Sequence, residues 1–157
     1  MMHTPMSALL EEVSRDHFPK PPASPEEIEA FERRVGWRLD PDLRAFYLHC
    51  NGAALIQWPD SPYEILPLSE LVRARVAIRR EDTDEWGPAS IYALCYVRDG
   101  NYVVMDVSRQ VDGRYPLIDG CHETWPDPEY CGPVANSFSK FLEQVLRTRR
   151  SLYWLGE

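Results

Sequence analysis

The chain has few glycines and no glycine-rich motif. Its eight glycines among 157 residues stand singly. None belongs to the spaced patterns that form a P-loop, a dinucleotide-binding turn or a nucleophile elbow. Single glycines of this kind serve turns that need a positive φ angle. The sequence therefore carries no motif for nucleotide binding or for a serine hydrolase.

Long apolar runs are also missing, and cysteine is sparse. No run approaches the length of a bilayer span, and the N-terminal residues lack the basic and apolar regions of a secretory signal. The four cysteines, Cys50, Cys95, Cys121 and Cys131, are too scattered for a disulfide framework. We therefore expect a reduced, cytoplasmic protein without a membrane segment.

Basic residues are outnumbered, with 17 Lys and Arg against 25 Asp and Glu and a net charge of -8. A nucleic-acid-binding face needs basic residues that contact phosphate, so we expect no direct nucleic-acid partner. The acidity suits a basic protein partner, because opposite fields speed encounter. A plainly solvated acidic surface is the alternative. The length and a hydrophobic content of 44% predict one domain over residues 1–157, as a monomer or weak homodimer.

Residues 24 to 52 predict two capped amphipathic helices in succession. Ser24 is placed as the N-cap of the first, and Glu27 completes a capping box with it. Gly36 can take the left-handed conformation that ends a helix. Asp40 then caps the second helix, and Asn51-Gly52 is predicted to stop it. The predicted buried faces are Ile28, Phe31 and Val35 in the first helix and Leu43, Phe46, Tyr47 and Cys50 in the second.

The clearest strand signal is a hairpin around Asp99-Gly100, flanked by residues 91–97 and 101–107. Both flanking runs are almost continuously apolar, which places this hairpin at the centre of the sheet. Further strands are predicted at residues 53–57, 63–68 and 114–118, and helices at residues 7–17 and from Asn136 or Ser137 onward. Residues 18–22 are predicted to be a stiff connector, and residues 69–80 are left open between a helix capped by Ser69 and a strand.

This order of elements predicts an α+β fold, with helices packed against a twisted, mainly antiparallel sheet. The N-terminal helices precede the sheet and one C-terminal helix follows it. That last helix is predicted to bury Phe138, Phe141, Leu142, Val145 and Leu146. The core is expected to span residues 24–146, preceded by an N-terminal extension over residues 1–23 with a short helix.

Metal and thiol chemistry have weak support. His49-Cys50, Cys121-His122 and Cys131 do not have the spacing of a zinc knuckle. Cys50 also lies on the apolar stripe of its helix, as a small core residue would. Neighbours in an extended segment point to opposite faces, so Cys121 and His122 do not suggest a dyad. We predict no metal, no cofactor and no catalytic residues.

Two acidic loops with interleaved aromatic residues are the best candidates for a partner-binding surface. The predicted contact residues are Asp82, Asp84, Glu85 and Trp86 in the first loop and Glu123, Trp125, Asp127 and Tyr130 in the second. Rings supply contact area at recognition surfaces, while charges steer the partner. The alternatives for these loops are a solvated surface and, with less support, acid/base catalysis.

With these elements placed, the chain resembles the SUKH superfamily, which includes fungal cell-wall assembly regulators and bacterial immunity proteins of toxin systems. The resemblance runs from about residue 24 to residue 145. Its most specific residues are Pro25, Glu26, Glu27, Ile28, Glu32, Val35, Gly36, Leu39, Pro41, Leu43, Phe46, Tyr47, Asn51 and Gly52. Later landmarks are Gly100, Asp106, Glu123, Phe138, Phe141 and Leu142.

The resemblance implies a non-enzymatic binding protein, most simply an immunity protein that neutralises a cognate toxin such as a nuclease by direct binding. A regulatory or scaffold interaction domain of the cell-wall assembly regulator type is the alternative. Residues 119–133 match no fixed pattern of the superfamily. That loop is therefore where specificity is expected to differ.

Overall fold

The structure, a computed structural model, describes residues 4–150 and 152–155. Within them the chain forms five α-helices and a seven-stranded sheet. The helices are α1 (Met6–Asp16), α2 (Pro25–Val35), α3 (Pro41–His49), α4 (Ala74–Arg79) and α5 (Phe138–Thr148). The strands are β1 (Phe18–Pro19), β2 (Ala53–Leu55), β3 (Tyr63–Ile65), β4 (Ile91–Tyr96), β5 (Tyr102–Asp106), β6 (Leu117–Gly120) and β7 (Pro133–Ala135).

The sheet is an antiparallel meander in which each strand pairs with the next in chain order, from β1 to β7. The predicted hairpin is its centre: β4 and β5 pair across a turn at Arg98, Asp99 and Gly100, all with positive φ. Helices α1 to α3 precede most of the sheet and α5 follows it. The α+β prediction is therefore confirmed, with a sheet that is antiparallel throughout its described strands.

The capping signals of α2 and α3 form as predicted. The Ser24 hydroxyl accepts a hydrogen bond from the Glu27 N–H at 3.1 Å, and the Glu27 carboxylate accepts one from the Ser24 N–H at 2.9 Å. Gly36 ends α2 in the left-handed conformation, with a φ of 82°. Asp40 caps α3 by accepting the Leu43 N–H at 2.9 Å. Short-range polar pairs thus fix both helix starts.

The predicted helix stop at Asn51-Gly52 is wrong in its place. α3 ends at His49, followed by Cys50 in an extended conformation. The Asn51 side chain instead accepts a hydrogen bond from the Leu68 N–H at 2.9 Å. Gly52 has a φ of 102°, and a Cβ there would lie 2.8 Å from the Ile65 carbonyl oxygen. Asn51 and Gly52 therefore let the chain after α3 pack closely against residues 65–68, and they do not form the end of α3.

Three short elements differ from the sequence prediction. Residues 18–22 are not only a connector, because Phe18 and Pro19 pair with β2 as an edge strand. Residues 69–80 contain the 3₁₀ turn Leu68–Glu70 and then α4, whose N-cap is Arg73 without a side-chain cap, so Ser69 starts no α-helix. Residues 133–135 form β7, a strand that the sequence did not predict. Strands of two or three residues are too short to produce a recognisable period.

The main core lies between the sheet and α1, α2, α3 and α5. Among its largest fully buried side chains are Phe46, Tyr47, Tyr63, Phe138 and Phe141. Ser137 is the cap of α5, accepting the Lys140 N–H, and all five residues predicted for the buried face of α5 are buried. The Tyr47 hydroxyl donates to the Leu66 carbonyl oxygen at 2.6 Å, so this buried polar group is satisfied.

The other face of the sheet carries a smaller apolar cluster. Val103 and Met105 belong to the main core, whereas Val104 packs with Ala74 of α4 and with Trp125. Successive residues of β5 thus point to opposite faces, as a strand requires. α4 and the loop before β7 therefore cover part of this second face.

Both edges of the sheet contain a proline. In β1 the Lys20 N–H bonds inward to the Gly52 carbonyl oxygen at 2.9 Å, so the preceding nitrogen, that of Pro19, faces outward and carries no hydrogen. At the opposite edge, β7 begins with Pro133, which is exposed. Prolines at these places are typical of edge strands.

Candidate protein-binding surface

The two loops predicted to contact a partner meet in space. We call residues 81–88 the acidic loop and residues 121–132 the Trp125 loop. The Trp125 indole N–H donates to the Trp86 carbonyl oxygen at 3.0 Å. Arg79 donates to the Trp125 carbonyl oxygen at 2.7 Å, and its guanidinium carbon lies 5.0 Å from the centre of the Trp86 ring. Hydrogen bonds and a cation–π contact thus join the loops through the end of α4.

Trp125 is buried and holds the two loops together. Its side chain is 3% exposed and packs with Ile91 and Val104. A Cβ at Gly87, where φ is +101°, would lie 3.2 Å from the Trp125 ring. In this conformation the Trp125 ring offers no area to a partner, unlike the anchoring role predicted from the sequence. The ring instead packs beneath the two loops and holds them in place.

Two of the predicted steering charges are paired within the chain. Arg75, with a side chain 8% exposed, donates to Asp82 at 2.7 Å and to Asp84 at 2.8 Å. Arg73 adds a second contact to Asp82 at 3.0 Å. The hydrogen bond from Arg75 lowers the pKa of Asp82, so this carboxylate stays ionised while much of its field is cancelled. Asp82 and Asp84 therefore order the acidic loop.

The other acidic residues of the prediction lie at the surface, and so do Asp82 and Asp84, whose side chains are 49% and 97% exposed. Glu85, Glu123 and Asp127 are exposed, and Tyr130 is 60% exposed. Asp127 also accepts the Glu129 N–H at 3.0 Å, which orders the turn below it. Trp86 is half-buried under Arg79. Besides the two aspartates paired with Arg75, the joined loops thus expose Glu85, Glu123, Asp127 and the Tyr130 ring, a composition suited to meeting a basic protein.

A second exposed surface was missed from the sequence. Phe18 is 43% exposed and Trp58 is 63% exposed, and both line one apolar cavity with Ala54 and Glu64. The signal was present in the alternation of β3, where Tyr63 and Ile65 are buried and Glu64 between them is half-exposed. The surface itself could not be predicted, because the residues that form it come from different strands and a loop.

The residues considered for metal or thiol chemistry do not gather into a site in the described part of the chain. Across residues 4–150 and 152–155, no three His, Cys, Asp or Glu side chains gather closely enough to hold a metal ion. The cysteines are free thiols. Cys50 is 1% exposed, and burial raises its pKa to about 12, so it behaves as the predicted core residue. His122 bonds the Asn101 side chain at 2.8 Å.

Membrane crossing has no structural support in the helices that can be described. Over residues 4–150 and 152–155, no helix has both the length and the apolar character that a bilayer span requires.

The comparisons with known proteins give one matching family and one similar protein. The sequence profile of the SMI1/KNR4 family (SUKH-1) matches residues 22–144, which run from just before α2 into α5. Immunity protein YokJ of Bacillus subtilis (strain 168) is 26% identical over 125 residues. That similarity covers 76% of this chain and 72% of the relative.

Proposed function

The chain belongs to the SMI1/KNR4 family (SUKH-1), and we propose that it is an immunity protein that neutralises a cognate toxin by binding it directly. The observation that carries the proposal is the similarity to immunity protein YokJ across three quarters of the chain. Fold alone would not assign a function, because one fold serves many roles. The relative's role is what separates this proposal from the regulatory alternative.

The proposed mechanism is stoichiometric masking without catalysis. The chain carries a net charge of -8, and a toxin that cleaves nucleic acid needs a basic face to hold phosphate. An acidic protein can occupy that face and exclude the substrate. The toxin would thus be inhibited for as long as the complex lasts, so the lifetime of the complex decides protection.

The joined loops are the proposed contact surface. Glu85, Glu123 and Asp127 steer the toxin, and Tyr130 with the exposed edge of Trp86 supplies contact area. Asp82 and Asp84 keep the acidic loop in shape through Arg75. The chain acts as one domain in the cytoplasm, one copy for each toxin, and contacts no nucleic acid itself.

Co-expression with candidate toxins tests this function. Each toxic domain encoded beside this gene is expressed in a host cell with and without the chain. The expected result is growth only with the chain, together with a one-to-one complex of the purified proteins by calorimetry. A folded chain that binds none of these domains and protects against none contradicts the proposal. If its partners are then housekeeping proteins alone, the regulatory interpretation replaces it.

A further inference from the structure

One row of side chains crosses the sheet on the face opposite the main core. Phe18 pairs with Ala54, Ala54 with Glu64, Glu64 with Tyr96, and Tyr96 with Tyr102. Directly paired residues point to the same face of a sheet, so these five side chains form one line across β1 to β5. We call these five residues the open row.

The open row lies beyond the elements that cover the rest of this face. The neighbouring row runs through Ala93, Val104 and Ile118. It is closed, because Val104 is fully buried and packs with α4 and Trp125. The edge of that cover is marked by Gly120, which pairs with Tyr102 and would place a Cβ 3.4 Å from Ile78 of α4. Beyond this cover Phe18 is exposed and Glu64 and Tyr96 are half-buried, whereas Ala54 between them is buried.

The β1 end of the open row is an apolar cavity. It has a volume of about 260 Å³ and is lined by Phe18, Lys20, Ala54, Trp58 and Glu64. Pockets for small-molecule ligands usually measure roughly 300–1,000 Å³, so this cavity suits part of a protein, such as one long side chain. The exposed rings of Phe18 and Trp58 are the kind of residues that anchor a protein interface.

The middle of the open row is an acidic group beside aromatic rings. Glu64 lines both the apolar cavity and an adjoining one of about 470 Å³, which Tyr96 and Tyr102 also line. The two tyrosine rings meet edge to face, with centres 5.3 Å apart. Within residues 4–150 and 152–155, the Glu64 carboxylate makes no hydrogen bond or ion pair. A carboxylate among aromatic rings is a favourable place for a cation.

The other charged groups lie at the two ends of this surface. Lys20 lines the apolar cavity, and Glu70 and Arg80 line the adjoining one. Lys20 and Glu64 line the apolar cavity itself, so they are the charged groups beside a cation that enters from the β1 end. These two act in opposite directions, so their variants should change cation binding with opposite signs.

We propose that the open row binds one arginine or lysine side chain of a basic protein partner. Its aliphatic stem lies on Phe18, Ala54 and Trp58, and its cationic head meets Glu64 next to Tyr96. Long cationic side chains pair an apolar stem with a charged tip in this way. The net charge of -8 favours a basic partner over an acidic one. This inference rests on the proposed function, for which it names a second contact and its chemistry.

Nuclear magnetic resonance of the full chain labelled with nitrogen-15 tests the site. The probe is N-acetyl-arginine-methylamide, and the matched control is the citrulline analogue, which has the same shape without the charge. The expected result is shifts at the Trp58 indole N–H and at the Ala54 and Glu64 amides. We expect about fivefold weaker binding of the citrulline analogue. Shifts that map elsewhere, or equal binding of both probes, would overturn the proposal.

Three charge variants complete the test. Glu64→Gln should weaken arginine binding about fivefold, and Lys20→Gln should strengthen it. Glu70→Gln is the matched control, because Glu70 lines the adjoining cavity but lies outside the open row. Unchanged binding in Glu64→Gln, or an equal loss in Glu70→Gln, would overturn the proposal. Unchanged spectral dispersion in each variant verifies that the fold is intact.

The toxin assay separates this inference from the function on which it rests. The double variant Trp58→Ala, Glu64→Gln is expected to bind the toxin more weakly than the wild-type chain. If the double variant protected cells and bound the toxin as well as wild type, the open row would be excluded as a contact. Immunity itself would then stand. If the wild-type chain failed to protect, immunity would fail whatever the arginine probe showed.

Discussion

Asp40 ties the start of α3 to Tyr115, which lies 75 residues further along the chain. One carboxylate oxygen accepts the Leu43 N–H at 2.9 Å, and the other accepts the Tyr115 N–H at 3.0 Å. The Tyr115 hydroxyl in turn donates to the Arg38 carbonyl oxygen at 2.6 Å. Burial raises the pKa of Asp40, and the two amide donors act against that rise. A single carboxylate thus serves both as a helix cap and as a tertiary link.

Replacement of Asp40 by Ala should destabilise the fold by about 1.5–5 kcal/mol. The loss combines about 0.5–2 kcal/mol for the cap with about 1–3 kcal/mol for a buried amide left without an acceptor. Urea unfolding followed by fluorescence measures the change. Glu81→Ala, at an exposed position, is the control and should stay within about 0.5 kcal/mol of wild type. An equal effect in both variants would contradict the dual role of Asp40.

Stability should fall as the pH drops below about 6.5, the ordinary pKa of histidine, because His17 is buried in its neutral form. Its Nδ1 accepts the Ile56 N–H at 2.8 Å. Burial lowers the pKa of His17, and Arg149 lowers it further. Since the folded-state pKa lies below the unfolded one, protons bind the unfolded chain more strongly. The stability present above pH 6.5 is therefore lost as the pH decreases.

Urea midpoints at pH 7.5, 6.5 and 5.5 measure this effect. His17→Asn should reduce the slope of stability against pH, because it removes the buried imidazole that accepts the Ile56 N–H. The same slope in His17→Asn and wild type would show that another group is responsible.

Gly52→Ala should destabilise the fold more than Gly113→Ala does. Both glycines have a positive φ, which costs an alanine about 1–2 kcal/mol. Only Gly52 also brings a new Cβ within 2.8 Å of a backbone oxygen, whereas Gly113 has open space around it. Thermal or urea unfolding of the two variants gives the comparison. Equal losses would mean that the backbone near Ile65 moves aside without cost.

Substitutions of Trp125 should affect stability, whereas a substitution of Tyr130 should affect binding. Trp125→Phe removes the N–H that bonds Trp86 and should cost about 1 kcal/mol of stability. Trp125→Ala should cost about 3–5 kcal/mol. Tyr130→Ala, at a ring that is 60% exposed, should leave stability nearly unchanged but weaken toxin binding. Normal toxin binding in a folded Tyr130→Ala variant would remove Tyr130 from the proposed contact surface.

Reversal of the exposed charges should slow toxin association. Glu85→Lys with Glu123→Lys is expected to lower the association rate and to flatten its dependence on salt, because both charges are exposed. Asp84→Asn is a useful comparison, since Asp84 is paired with Arg75 and should change the rate less. Stopped-flow mixing over a range of salt concentrations measures both. Association and salt dependence unchanged by the double reversal would contradict this surface.

Structural features that depend on residues close together in the chain could be predicted from the sequence. The Ser24 and Glu27 capping box, the Asp99-Gly100 turn and the apolar stripe of α5 each depend on residues a few positions apart. Their geometry is local, so residue type alone decides it. The order of these local elements was enough for the fold class.

Features that depend on distant residues could not be predicted. Trp125 looks like an exposed anchor in a polar loop until its N–H meets Trp86, 39 residues away. Asp82 looks like a free charge until Arg75 is placed beside it on α4. The open row joins side chains from separate strands whose register is set only by pairing. Tertiary pairing, not composition, decides which of these groups face a partner.

The prolines of β1 and β7 affect how readily copies of this chain associate through their sheet edges. The proposed function requires at least one copy of this chain for each toxin, and bare strand edges can pair between copies at high concentration. At β1 the outward nitrogen is that of Pro19, which has no hydrogen to offer an incoming strand. The β7 strand starts with Pro133, whose nitrogen likewise has no hydrogen to donate. At both edges of the sheet a proline thus removes one donor that an added strand would need, which disfavours edge-to-edge pairing of the chain with further copies of itself.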